Sequence, residues 1–285
     1  MKKLALTSLL AVFAVSGAHA ANVIDGNPLY MPKAGHFYSV SDLSSHTERN
    51  TPWVLAEDFG YGVSDKLAID VSTSATENSS FDYISWNDLS LKATFRAFQK
   101  GGMIADVYGE YGLDNIEGGG FEFGGVWPDH KPFMDEDDTT YTWTAGVRAG
   151  YTTSQWTVAG RVAFSYSNSE TFNWADKGMH YLTLGLDGQY LINKDWNLVA
   201  GLEYKGILNS EWAYDDETPT APFDPDVKNA GKLHGMLGAN YNIDATKFVG
   251  AYVFGDMNHH DDNEPKDEWR WEEGFGFGAK FGIDF

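Results

Sequence analysis

From residue 36 onward the chain alternates apolar and polar positions in steps of two. Residues 141–151 place Tyr141, Trp143, Ala145, Val147, Ala149 and Tyr151 on one face and Thr142, Thr144, Gly146, Arg148 and Gly150 on the other. The pattern returns at Trp156, Val158, Gly160, Val162, Phe164 and Tyr166, and again at Trp196, Leu198, Ala200, Leu202 and Tyr204. In the final stretch Phe275, Phe277, Ala279, Phe281, Ile283 and Phe285 alternate with Gly276, Gly278, Lys280, Gly282 and Asp284. A period of two belongs to a β-strand whose two faces meet different surroundings. It predicts about twelve strands, near 36–44, 53–63, 67–76, 84–97, 103–113, 140–153, 156–168, 180–193, 196–206, 232–243, 247–257 and 272–285. The fold class read from this is all-β.

The connections between these segments alternate in length. Short turns fall at 64–66, 99–102, 153–155, 193–195 and 244–246, each holding at least one turn former such as Ser, Asp, Asn or Gly. Longer connections span 114–139, 169–179, 209–231 and 258–270. Aromatic rings stand at the ends of the apolar faces with small aliphatic residues between them, the arrangement that two water–lipid interfaces select. A soluble sandwich would instead put its largest rings mid-strand, where the core is deepest. These features predict a single closed antiparallel transmembrane β-barrel of about twelve strands, with short periplasmic turns and long extracellular loops. A terminal Phe285 on an alternating strand resembles the assembly signal of the outer-membrane β-barrels of diderm bacteria. That resemblance implies a place in the cell outer membrane, among its lipid and lipopolysaccharide, and delivery there by the outer-membrane assembly machinery.

Composition and the first residues fit this reading. Met1-Lys2-Lys3, the apolar run from Leu4 to Val15 and the small-residue site Ala18-His19-Ala20 form the pattern of a cleaved export signal over residues 1–20. Residues 21–35, with Pro28 and Pro32, read as a periplasmic lead-in or a small plug, and residues 36–285 as the barrel. Of the 20 Lys and Arg, removing Lys2 and Lys3 leaves 18 against 41 Asp and Glu. So acidic a chain repels nucleic-acid phosphates, and none is expected as a partner. The absence of Cys excludes a disulfide scaffold and thiol chemistry. No later stretch is apolar enough for a membrane-spanning helix, and a barrel hides from that test because lumen-facing polar residues cancel the average.

If the apolar faces meet lipid, the opposite faces line a lumen. They carry Asp88, Lys92, Arg96, Asp106, Glu110, Arg148, Arg161, Asp187, Glu203 and Lys205 as candidate pore-lining residues, with Asp70, His234, Lys280 and Asp284 beside them. Buried like charges repel, so these groups either pair or stand in water. Glu57 breaks the alternation by sharing a face with Trp53, Leu55, Phe59 and Tyr61, which places it at an interface or marks a bulge. Acid gathers in the long loops at 135–138, at 215–217 and in His259-His260-Asp261-Asp262. The last is a candidate metal site in residue type only, because its spacing matches no known metal loop. Loop residues Phe121, Phe123, Trp127 and Phe133 either fold inward as a constriction or pack over the rim. No cofactor is implied. Histidines and acids are plentiful, but no G-x-S-x-G elbow accompanies them.

One further likeness is local. Phe59-Gly60-Tyr61-Gly62-Val63-Ser64-Asp65-Lys66-Leu67-Ala68-Ile69, followed by Asp88-Leu89-Ser90-Leu91 and Phe95-Arg96, resembles the turn and strand of the FadL-like, meta-pathway phenol-degradation type of outer-membrane porin. The resemblance implies a porin-like transporter. The expected function is passive diffusion of small solutes through a mixed-charge lumen, without enzymatic activity. A non-conducting structural or adhesion barrel is the alternative, and an outer-membrane hydrolase stands third.

Overall fold

The computed structural model describes residues 26–47, 52–77, 83–114, 120–122, 140–169, 179–210, 231–259 and 269–285. The expected export signal, most of the acidic loops and the candidate metal residues His260, Asp261 and Asp262 lie outside them. The first strands are β1 (Phe37–His46), β2 (Val54–Ser64), β3 (Leu67–Glu77), β4 (Tyr83–Lys100), β5 (Met103–Asp114) and the short β6 (Gly120–Glu122). They are followed by β7 (Thr140–Thr152), β8 (Trp156–Ser169), β9 (Met179–Leu191) and β10 (Trp196–Ser210). β11 (Gly231–Asn242), β12 (Lys247–His259) and β13 (Trp269–Asp284) complete the set.

Each long strand pairs antiparallel with the next, and β1 pairs with β13, so twelve strands close into a barrel. Strand β6 is extra. It joins the outer end of β4, with Ile84 opposite Phe121. The wall is uneven in height: β1 has 10 residues and β4 has 18. Strands β10 and β13 also run further at the long-loop end than the alternation predicts, to Ser210 and from Trp269. All five short turns lie at one end, together with both ends of the barrel, where Phe37 and Phe285 exchange two backbone hydrogen bonds of 2.7 and 2.8 Å. In bacterial outer-membrane barrels the short-turn end is the periplasmic one.

The outward faces are apolar and exposed. Trp143 is 59 % exposed, Leu237 59 % and Phe275 61 %, an uncovered apolar surface that water would not tolerate and lipid does. Rings pair at both rims: Tyr151 with Trp156, Trp196 with Tyr241 and Phe37 with Tyr61 near the short turns, and Tyr111 with Trp143 at the opposite rim. Eight residues separate Trp143 from Tyr151, which at about 3.4 Å per residue and a tilt of about 40° is about 21 Å, close to the apolar band of such barrels.

The inward glycines of β13 have a steric reason. The rings of Phe254, Tyr252 and Phe248 on β12 lie over Gly276, Gly278 and Gly282, and a Cβ at any of the three would overlap the ring. No bulge accompanies Glu57, which lies three residues from the long-loop end of β2. The β2 register runs unbroken from Val54 to Gly62, and Glu57 is on the outward face with Phe59 and Tyr61. There it stands opposite Ser41 and Thr73 and takes a hydrogen bond from Ser41.

Candidate functional site: the charged lumen and its floor

The alternation that aims apolar groups at lipid aims charge at the interior. Nearest the short turns, Asp106 on β5 is fully buried between two arginines. Arg96 Nε on β4 donates to it at 3.0 Å, and Arg148 Nε on β7 at 2.8 Å. Two guanidinium groups side by side repel, and a shared carboxylate held by both offsets that.

The outer ends of these arginines reach a third element. Arg96 Nη2 donates to the Leu29 carbonyl at 2.7 Å. Arg148 donates to the carbonyls of Pro28 at 3.2 Å and Tyr30 at 2.8 Å. Residues 26–36 therefore run across the lumen. At one side Gly35 N–H donates to Gly62 O on β2 at 2.7 Å, and a Cβ at Gly62 would overlap the carbonyls of Pro32 and Lys33. At the other side Gly26, with φ of 91°, sits against Val199 on β10 and Asn240 on β11 with no space for a side chain. Between them Leu29 is 2 % exposed in a cluster with Ile104 and Ala159. Asn27 shapes the bend, its side-chain oxygen accepting from Leu29 N–H at 2.9 Å. Tyr30 hydroxyl donates to Asp284 at 2.6 Å, and burial together with that carboxylate pushes the phenol well above its ordinary range, so it remains a donor.

Above this floor lies a cavity of about 700 Å³. Its wall includes Asp58, Asp88, Lys92, Glu110, Arg161 and Asp187. Arg161 faces Arg148 directly across β7 and β8 and turns the other way, to Asp187 at 2.8 Å and Glu203 at 2.6 Å. Lys280 pairs with Asp42 at 3.1 Å, and Tyr252 hydroxyl donates to the same acid at 2.7 Å. The wall from β2 to β5 is different. Asp58 and Asp70 both accept from the Tyr38 hydroxyl, Asp58 also from Ser72, and Asp88 from Ser74. Lys92, stacked over the Tyr108 ring at 5.8 Å, stands across β4 and β5 from Glu110.

The expected pore-lining set thus divides. Asp88, Lys92, Glu110, Arg148, Arg161 and Asp187 border the cavity, Glu203 is tied to Arg161, and Arg96 and Asp106 belong to the floor clasp. Lys205 stands higher, exposed, with its ammonium 4.6 Å from the Tyr181 ring. His234 joins Asp256 at 2.8 Å, with Lys232 on the other oxygen at 3.2 Å. Among the described residues no cluster of His and acid is arranged to hold a metal. Asp42, Asp58 and Tyr38 were not among the expected residues. Asp58 was visible as the inward partner of the outward Glu57, while β1 has too many outward serines for its faces to be told apart.

Searches for relatives by sequence return nothing: no protein-family description and no curated protein matches the chain. Solved structures do match. The COG4313 outer-membrane channel from Pseudomonas putida F1 superposes with a TM-score of 0.53 at 14 % identity, over 93 % of this chain and all of that one. The NanC porin superposes with a TM-score of 0.51 at 9 % identity, over 87 % of this chain and 98 % of that one. The fold is that of the outer-membrane β-barrels. Residues 59–69 and 88–96, which carry the local resemblance to the FadL-like family, lie in the β2–β3 hairpin and the middle of β4.

Proposed function

We infer that the barrel is a passive channel for small solutes and that it favours cations over anions. The observation that carries this is the cavity of about 700 Å³ inside a closed wall, room for many waters, bordered by Asp58, Asp88, Lys92, Glu110, Arg161 and Asp187 as well as by apolar side chains such as Val199 and Phe248. The preference follows from the distribution of charge. Arg96, Arg148, Arg161 and Lys280 are each engaged by acid, whereas among the described residues of the β2–β5 wall Asp58, Asp70, Asp88 and Glu110 share Lys92 as the inward cation apart from the Asp106-bound Arg96. A field of one sign between low-dielectric walls concentrates counter-ions.

Single-channel recording across a salt gradient tests this reading. The expected reversal potential has the sign of cation preference, and Asp88→Asn with Glu110→Gln moves it toward zero. A reversal potential of the opposite sign removes the preference. A second reading, a non-conducting barrel serving envelope structure or adhesion, is favoured by the floor that residues 26–36 lay across the lumen. A bilayer that stays sealed at all voltages would support it.

A further inference from the structure

We propose that residues 26–36 form a detachable strap that sets the size limit of the pore at its periplasmic mouth, with Arg96 and Arg148 as the positioning residues that hold it. The proposal rests on the channel reading above. The strap spans the opening from β2 to β10 and β11, so a solute leaving the cavity on the periplasmic side meets its backbone. Gly26, Asn27 and Pro28 themselves border the cavity.

The way the strap is held is what makes it separable from the wall. It adds no strand to the sheet. Its carbonyls at Pro28, Leu29 and Tyr30 take hydrogen bonds from arginine side chains, the Tyr30 hydroxyl donates to Asp284, and Leu29 enters an apolar socket formed with Ile104 and Ala159. Water can replace each of those hydrogen bonds if the strap lifts, and the arginines keep Asp106 as partner in either position. Release breaks no strand-to-strand bond; among the described residues the strap's backbone bonds to the wall are those of Gly35 and His36 to Gly62, at the end where it joins β1. Arginine suits the task because one planar group can grip Asp106 and two strap carbonyls together, which a lysine cannot do.

The test compares the full-length protein with two full-length variants, each first shown to migrate as a folded barrel in detergent. Leu29→Lys puts a cation into an apolar socket beside two arginines and expels the strap. Arg148→Lys keeps a positive charge for Asp106 and gives up the fork that holds the carbonyls. Single-channel conductance and liposome-swelling rates for uncharged sugars of increasing size are then measured. Both variants are expected to raise conductance several-fold and to admit sugars that the unaltered protein excludes, with Leu29→Lys the larger effect. If Leu29→Lys fails to fold, Arg148→Lys decides alone. Conductance and size limit equal to those of the unaltered protein overturn the strap and leave the channel standing. Bilayers that remain sealed with all three proteins overturn the channel reading, and the strap falls with it.

Discussion

Replacing Asp106 with Asn removes the charge from the most enclosed ionic group in the lumen while keeping its shape. In the native protein this carboxylate accepts from Arg96 Nε at 3.0 Å, Arg96 Nη2 at 3.3 Å and Arg148 Nε at 2.8 Å. The arginine side chains are 11 % and 20 % exposed and the acid 0 %. Breaking a buried pair costs about 3–5 kcal/mol, because the surviving charge is left without a partner. Here two cations are left facing each other, and the Asn amide adds donors where an acceptor stood. Both arginines retain carbonyl acceptors on residues 28–30, which places the expected cost near the lower figure, about 3 kcal/mol. With a urea dependence of about 2 kcal/mol per M, the unfolding midpoint in lipid vesicles at pH 7 falls by about 1.5 M. Asp88→Asn is the comparison. Asp88 accepts from Ser74 at 2.7 Å without an arginine, so about 1 kcal/mol and about 0.5 M are expected. A shift for Asp106→Asn no larger than that for Asp88→Asn would refute the argument that the paired arginines make this site costly to neutralise.

Three other outcomes follow from the geometry. Gly278→Val drives a side chain into the Tyr252 ring and should lower stability by about 1–3 kcal/mol, whereas Gly160→Ala, whose Cβ would meet only the Gly185 carbonyl at 3.8 Å, should change the same urea midpoint little. Phe285→Ser loses the stack on Phe37 at 5.9 Å, about 0.5–1.5 kcal/mol, and should reduce the amount of folded barrel recovered from cell envelopes by more than it reduces spontaneous refolding in detergent; equal reductions would show that Phe285 acts through packing alone. In the turn after β11, Thr246 N–H and hydroxyl both donate to Asp244 at 2.8 Å and hold its carboxyl below its ordinary value of 3.8. Its contribution is therefore present above that ordinary value and is lost as the pH falls through the lowered one, so the stability gap between the native protein and Asp244→Ala should close in acid and be constant from pH 5 to 8.

The barrel was legible because its signal is repeated. Each of β7, β8, β10 and β13 gives the same alternation independently, and short and long connections agree with it. The lumen was legible only where the outward face is uniformly apolar, since the inward residues are read as its complement. That holds for Arg148, Arg161 and Glu203 and fails on β1, where Ser39, Ser41 and Ser45 face outward and Asp42 was missed. Inward rings were missed for a related reason. Phe248, Tyr252 and Phe254 have space inside only because a neighbouring strand supplies glycines, and that pairing is set by register. The course of residues 26–36 has no period at all. It depends on arginines that lie 67 and 118 to 120 positions away along the chain, so local sequence left a lead-in and a plug equally open.

The seam between β1 and β13 has a consequence for how the molecule comes into being. The two strands that complete the cylinder are the first and the last to be made, and Phe37 and Phe285 fasten them at the very rim. Until that fastening occurs, the growing wall is a curved ribbon with two raw edges, each a row of unpaired amides and carbonyls open to any other chain. Because the contact that removes both edges is also the one of longest sequence separation, it is the slowest to be found unaided. Keeping the ribbon apart from its neighbours during that delay is a requirement imposed by the topology itself.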